Sequence, residues 1–344
     1  YNDDGLLTGV ENEVGNQLSY TYNEEKKLIR VADHTGRLVE LSYEYGRLRR
    51  FTNSSGHTYT YEYNENGKMA GIVTPEGVSG VKNEYDGADR VIKQTMSDSG
   101  VVELRYDDKN NCTYLKEQNG NLIKYESDEK MRNVRTVYED GEESFVYNER
   151  NQKISYTDKN GNTTRYSYDN HGNMTQVITA LGEKTCMTYD QNSNLIAVKK
   201  SGYGSVRYKY DGNGNCVQIT EADGGITQIE YRDDGSIDTI IQPDRSRIHY
   251  IYDKKGNVIQ VITPSGSSIF YEYDLLNRVI QSKDGNGNIR KYEYNNQNKL
   301  IALTNPIGKK QILSYDIDKL VSVTDYDGSQ YRMQYAYSKP CKYI

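Results

Sequence analysis

The chain has no tryptophan, only three phenylalanines, five prolines, four cysteines and four histidines among 344 residues. With those aromatics missing and hydrophobic residues at 35%, a thick core of the ordinary globular kind is excluded. No run of eighteen apolar residues occurs, so no helix of the chain spans a membrane. Cys112, Cys186, Cys216 and Cys341 lie far apart with no Cys-x-x-Cys spacing, which removes the common zinc and dithiol motifs. The formal charge of −6 is mild and dispersed, with no basic stripe of the kind nucleic acid requires. His34, His57, His171 and His249 are scattered without a serine or cysteine partner at a recognisable spacing. The acid pairs Asp107-Asp108 and Asp233-Asp234 stand at turns, where aspartate favours turn geometry. The expectation is a protein that is not an enzyme and carries no cofactor and no metal.

What is abundant is tyrosine, used 34 times, together with 30 glycines. The mean hydropathy of −0.89 would suit a disordered chain, but disorder is poor in aromatics and lacks strict spacing. The spacing here is strict. Taking the second tyrosine of each Tyr-x-Tyr pair gives Tyr147, Tyr168, Tyr189, Tyr210, Tyr231, Tyr252, Tyr273, Tyr294 and Tyr315, each 21 residues after the last. Before this block the signature recurs with small slips at Tyr22, Tyr45, Tyr63, Tyr85, Tyr106 and Tyr125, and after it at Tyr335. Residues 1–344 thus read as a single array of about sixteen copies, cut at both ends. The chain opens without Met and in mid-repeat, so it reads as a piece of something longer, and the lack of a signal peptide carries no information on location.

Numbering each copy from its anchor tyrosine as zero, two turns punctuate it. The first follows the anchor, as in "YDGNGN" from Tyr210, where Asp211 supplies an acceptor and Gly214 a left-handed position. A calcium loop fails there, because an EF-hand wants glycine at Cys216 and glutamate at Ala222. A phosphate cradle fails too, since a lone Gly-x-Gly lacks its strand and helix. The second turn carries glycine at offset fourteen, as at Gly161, Gly182, Gly224, Gly266 and Gly308. Pro75, Pro243, Pro264 and Pro306 fall at offset twelve, suited to the second position of a type I turn and clear of strand interiors.

Between turns lie runs of five or six residues, the length of a strand. In "SVRYKY" the residues Val206, Tyr208 and Tyr210 face one way while Ser205, Arg207 and Lys209 face the other. The other run has apolar residues at offsets six, seven and nine, as in Val258, Ile259 and Val261, which points either to a bulge or to a strand start near offset seven. Cys112 and Cys216 sit at offset six, as small buried hydrophobes. The fold class is therefore all-β: tandem 21-residue repeats of two antiparallel strands, roughly 32 strands in one hairpin ribbon. Strand twist should coil such a ribbon into a hollow wall one layer thick. Tyrosines at offsets zero and nineteen should form aromatic ladders, their hydroxyls reaching water or a neighbouring Asp.

The pattern Y-D-x-x-G-N/R-L/V-x-x-V, glycine at offset fourteen, then Y-x-Y-D, resembles the RHS or YD repeats. The resemblance covers nearly the whole chain; the Tyr125 to Tyr147 copy and the Tyr45 to Tyr63 copy, three residues short, depart from it. It implies an all-β spiral shell. In bacterial toxins of this kind the shell encloses a C-terminal effector, and in teneurins it is a rigid extracellular scaffold. By this resemblance the chain is a structural segment of a shell encapsulating a polypeptide of the same parent chain, in a secreted or cell-surface protein. The family's Asp-Pro-x-Gly self-cleavage motif does not occur here, as no Asp-Pro pair exists. The alternative is an extracellular recognition scaffold binding carbohydrate or a surface protein through exposed Tyr, Asn and Asp. Unpaired strand edges leave edge-to-edge self-association as a further expectation.

Overall fold

The computed structural model describes residues 1–12, 14–317 and 319–333. Tyr335 and Cys341 lie outside the described residues. Those residues form 32 strands of one antiparallel sheet and no helix. Helix is excluded locally: Gly, Asn, Thr and Tyr dominate, and no segment holds a 3.6-residue period. The chain divides into two compact units, residues 1–100 with 251–344, and residues 101–250. Within each unit, strands joined by short turns pair antiparallel, as Thr163–Tyr168 with Met174–Ile178, and that strand with Lys184–Tyr189.

The alternation expected for "SVRYKY" holds: in Gly204–Tyr210, Arg207 and Lys209 are exposed while Val206, Tyr208 and Tyr210 are half-buried. The sheet has almost no deep interior. The most buried side chains among the described residues are Cys112, Ile123, Ala302, Thr136 and Thr239, all of modest size and still 2–9% exposed. A single sheet has no second layer to cover either face, so tyrosine, with an apolar ring and a polar tip, is the residue that suits it.

The pairing register resolves the irregular run. Tyr168 faces Met174 while Ser167 faces Gln176, leaving Thr175 as the extra residue. The same step recurs at Tyr189 with Leu195, Tyr210 with Cys216, Tyr231 with Ile237, Tyr273 with Val279 and Tyr294 with Leu300. The bulge at offset seven is therefore a repeated feature. It re-aims offset six under the anchor ring and adds local twist.

Two anchors move. Tyr45 is 97% exposed, and with Gly46 it forms the two-residue loop of a hairpin in which Glu44 faces Arg47, both loop residues having positive φ. The bulge pairing there belongs to Tyr43, opposite Leu48. In the Tyr125 copy the bulge falls between Glu126 and Ser127, so Ser127 holds the anchor position opposite Asn133 and Tyr125 sits two residues earlier. With Tyr43 and Ser127 as anchors, every step from Tyr22 to Tyr147 is 20 to 22 residues. The second-tyrosine rule fails where a shortened loop takes a tyrosine, or where one tyrosine serves alone.

Candidate functional site

The repeated element is a tyrosine row built over the bulges. Tyr189 donates its hydroxyl to the Met174 carbonyl at 3.0 Å, Tyr210 to Leu195 at 2.9 Å, Tyr231 to Cys216 at 3.0 Å and Tyr273 to Val258 at 2.7 Å. Tyr22, Tyr63, Tyr168 and Tyr315 make the same bond, each to a carbonyl fifteen residues upstream. The acceptor is offset six of the preceding copy, except after the shortened Tyr43 loop, where Leu48 is at offset five. The ladder to the next strand stops short of it, with Gln176 and Cys186 as its last pair, so the Met174 carbonyl finds its partner in the tyrosine. These hydroxyls, expected at water or a neighbouring Asp, bond backbone instead. Burial raises the phenol pKa of Tyr168, Tyr210, Tyr231, Tyr273 and Tyr294, so the row stays neutral and able to donate.

Anchor rings of successive copies are spaced too widely to stack as a ladder. Anchors of successive copies are two strands apart, about 9.6 Å, which is beyond ring contact. In most copies the anchor instead stands directly opposite offset six, as Met174, Leu195, Ile237, Val279 and Leu300. Close ring pairs among the described residues include Phe51 with Tyr59 at 6.3 Å and Phe145 with Tyr156 at 5.3 Å, both directly cross-strand.

The turns are as regular. Asp211 Oδ1 accepts the amides of Asn213 and Asn215, and Oδ2 accepts the Asn215 side chain. Gly214, with φ of 85°, donates to the Asp211 carbonyl, a type I turn followed by a left-handed residue. The hydrogen bond from the Asn215 side chain leads in holding the Asp211 carboxyl below its ordinary range. "YDGNGN" is thus a self-capped hairpin loop whose acid is engaged inside the turn. Gly161, Gly182, Gly224, Gly266 and Gly308 all have φ between 79° and 91° in the second turns. Pro264 and Pro306 precede them at the second turn position, Pro75 precedes Gly77 in the same way, and Pro243 precedes Arg245, a left-handed residue at 69°.

Arginine at offset five ties one copy to the next, a role invisible in the repeat consensus. Arg278 bonds Asp274 of its own turn and donates to the Asn295 carbonyl at 3.0 Å and Asn298 Oδ1 at 3.1 Å in the next. Its guanidinium lies 4.8 Å from the centre of the Tyr294 ring. Arg132 repeats this with Asp128, Asn148, Asn151 and Tyr147. One copy departs further: Glu143, where the next six copies carry Thr, Val or Ile, accepts the hydroxyls of Tyr138 at 2.9 Å and Tyr156 at 2.6 Å. Both phenols are pushed up to about 12, Tyr138 chiefly by burial and Tyr156 chiefly by the bond to Glu143.

The histidines occupy structural places. His171 lies in a turn, its amide held by Asp169, and His249 Nδ1 is 3.1 Å from Thr239 Oγ1. His34 and His57 lie on a seam. Within the unit of residues 1–100 and 251–344, second turns of early copies meet first turns of copies twelve repeats later. His34 Nε2 is 3.1 Å from the Leu275 carbonyl and Arg37 donates to Asn298 at 3.2 Å, so the Asp33–Arg37 turn seats between two consecutive first turns. His57 Nδ1 is 3.1 Å from Gln297 Nε2, and Pro75 and Glu76 border a small cavity of about 140 Å³ with Asp316, Ile317 and Lys319. The anchors so matched are Tyr22 with Tyr273, Tyr43 with Tyr294 and Tyr63 with Tyr315. Nothing in a 21-residue window signals such a contact.

Comparison with known proteins agrees with this geometry. Over 94% of the chain the fold matches a solved structure of TcdB2-TccC3 with a TM-score of 0.69 at 12% identity, covering 23% of that chain. A Photorhabdus luminescens Tc holotoxin pore structure matches 90% of the chain with a TM-score of 0.54 at 13% identity, covering 19% of its own chain. The probable deoxyribonuclease RhsB of Dickeya dadantii (strain 3937) is 35% identical over 65 residues, 18% of this chain and 4% of RhsB. The chain thus spans under a quarter of the length of these relatives. An RHS repeat model matches residues 43–79, and the teneurin YD-shell model matches residues 111–340. With its bulged strand pairs, tyrosine row and capped turns, the chain belongs to the teneurin YD-shell family.

Proposed function

We propose that the chain is a wall segment of a YD-repeat shell that encloses a polypeptide from the C-terminal part of the same parent chain, in a secreted or surface protein. The observation that carries this is the fold match over 94% of the chain to TcdB2-TccC3. The chemistry supports it. The backbone is engaged in strand ladders and capped turns along the described residues, and the phenols of Tyr22, Tyr63, Tyr168, Tyr189, Tyr210, Tyr231, Tyr273 and Tyr315 are bonded to carbonyls, which supports a scaffold. The deoxyribonuclease in the name of RhsB belongs to that protein, of which the matched segment is a small part. The same engagement of the hydroxyls counts against the tyrosine row as a glycan-stacking platform.

Small-angle scattering of this chain tests the wall: a distance distribution too broad for a solid 39.4 kDa globule is expected, and a compact solid profile refutes the reading. Enclosure is tested in the parent protein by limited proteolysis. The C-terminal polypeptide should survive protease with the repeats present and be cut when produced alone; equal cutting in both refutes enclosure.

A further inference from the structure

On the sheet face opposite the tyrosine row, cations of several copies stand beside carboxylates. Lys93 meets Glu84 at 2.8 Å, Lys116 meets Glu103 at 3.0 Å and Lys310 meets Glu293 at 2.8 Å. Strand register gathers a different set inside the unit of residues 101–250. Arg165 faces Ile178, which faces Lys184; Cys186, two residues on, faces Lys199, which faces Ser205. Arg207 and Lys209 follow Ser205 along its strand, on the same face. These five cations are exposed, and none of them forms an ion pair among the described residues.

The ladder positions between them hold uncharged side chains such as Gln176, Thr188 and Gln218, and from Arg165 to Gln228 no ladder position on this face carries a carboxylate. The nearby acids are in turns. Asp169, Asp190 and Asp211 accept amides of their own first turns, while Glu183 and Glu221 stand at the rim in second turns. Five positive charges thus lie within four strand spacings, about 19 Å. Like charges at such separations repel, a cost that an anionic partner relieves.

The rest of the face narrows the chemistry of that partner. Unpaired bases and sugar rings call for aromatic platforms, and the tyrosines of these strands, Tyr166, Tyr168, Tyr189, Tyr208 and Tyr210, lie on the other face. The net charge of −6 repels a long nucleic acid beyond the patch. What accompanies the cations is amide, hydroxyl and, at one edge, the 44% exposed Ile226, a mixture that suits a polypeptide.

We propose that this face, centred on Lys199 and Arg207, docks an acidic segment of a polypeptide. The segment sets its carboxylates on the five cations, with Arg207 offering a fork to one of them, and its backbone on Gln176 and Gln218. The docking does not depend on which side of the wall the face takes, so it stands apart from enclosure.

The test is fluorescence anisotropy of a labelled oligoglutamate peptide with the whole chain at low ionic strength, where surface charges are least screened. Wild type should bind the peptide, and Lys199→Gln with Arg207→Gln should weaken binding at least about tenfold. Lys116→Gln with Lys310→Gln removes the same charge from paired sites and should change it by no more than about twofold. All four side chains are exposed, so both double variants should keep the wild-type far-UV spectrum. A peptide that fails to bind overturns the proposal. So does equal weakening by the two double variants, which would reduce the attraction to net charge. A sulfated oligosaccharide or single-stranded oligonucleotide of equal charge that binds more tightly than the peptide also overturns it, and reassigns the face to that ligand.

Discussion

Changing Tyr189 to phenylalanine removes one oxygen and leaves the ring over Leu195. What is lost is the 3.0 Å bond to the Met174 carbonyl. A typical intramolecular hydrogen bond contributes about 0.5–1.5 kcal/mol net, and an acceptor left unpaired costs about 1–3 kcal/mol when buried. Tyr189 and Met174 are half-buried, so water recovers part of that cost and about 1 kcal/mol is expected. In a repeat array each copy contacts chiefly its neighbours, so the loss is local and a global melt blurs it. Hydrogen exchange is the fitting assay: amides of Met174–Ile178 and Lys184–Tyr189 should exchange about fivefold faster while distant copies are unchanged. Tyr45→Phe is the control, because that side chain is almost wholly exposed and the change should stay within about 0.5 kcal/mol. If Tyr189→Phe moves exchange no more than Tyr45→Phe does, the tyrosine row is not held by its hydroxyls and the reasoning is wrong.

Arg278→Ala should loosen the Asp274 and Asn295 turns together by about 1–2 kcal/mol in exchange, and Arg278→Lys should rescue only part, since an ammonium cannot fork between Asp274 and Asn298. Gly182→Ala, at φ of 81°, should destabilise its hairpin by about 1 kcal/mol, whereas Met131→Gly, at 60° with its side chain exposed, should stabilise its own by a few tenths, both read by exchange of the flanking strands. Asp33, despite a burial effect that raises it, is brought from 3.8 to about 2 by hydrogen bonds from Thr35 and Arg37. Its contribution is therefore complete above pH 3.8 and is lost as pH falls toward 2; hydrogen exchange of Leu28–Asp33 and Leu38–Glu44 in wild type and Asp33→Asn should converge on acidification, and a constant gap would refute the assignment.

Much of the molecule is legible in single copies. The 21-residue period, the two turns, the alternation in strands such as Gly204–Tyr210 and the placement of proline and left-handed glycine are all short-range chemistry. Each depends on residues within four or five positions of one another, so one copy specifies them and the others repeat the message. The readings that failed share a cause. Tyr45 was indistinguishable from an anchor until its loop length was known, and Ser127 could not be recognised because it lacks the signature atom.

By itself, then, the sequence determined an all-β repeat of paired strands, its punctuation, and tyrosine as the residue for a sheet without a second layer. Only the tertiary structure decided the bulge at offset seven, the carbonyl that each hydroxyl seeks, the arginine ties between copies and the seam joining Asp33–Arg37 to Leu275 and Asn298. Those depend on register between strands, and on how twist accumulates over some 240 to 260 intervening residues. No single repeat encodes that sum, because each adds only a small rotation to it.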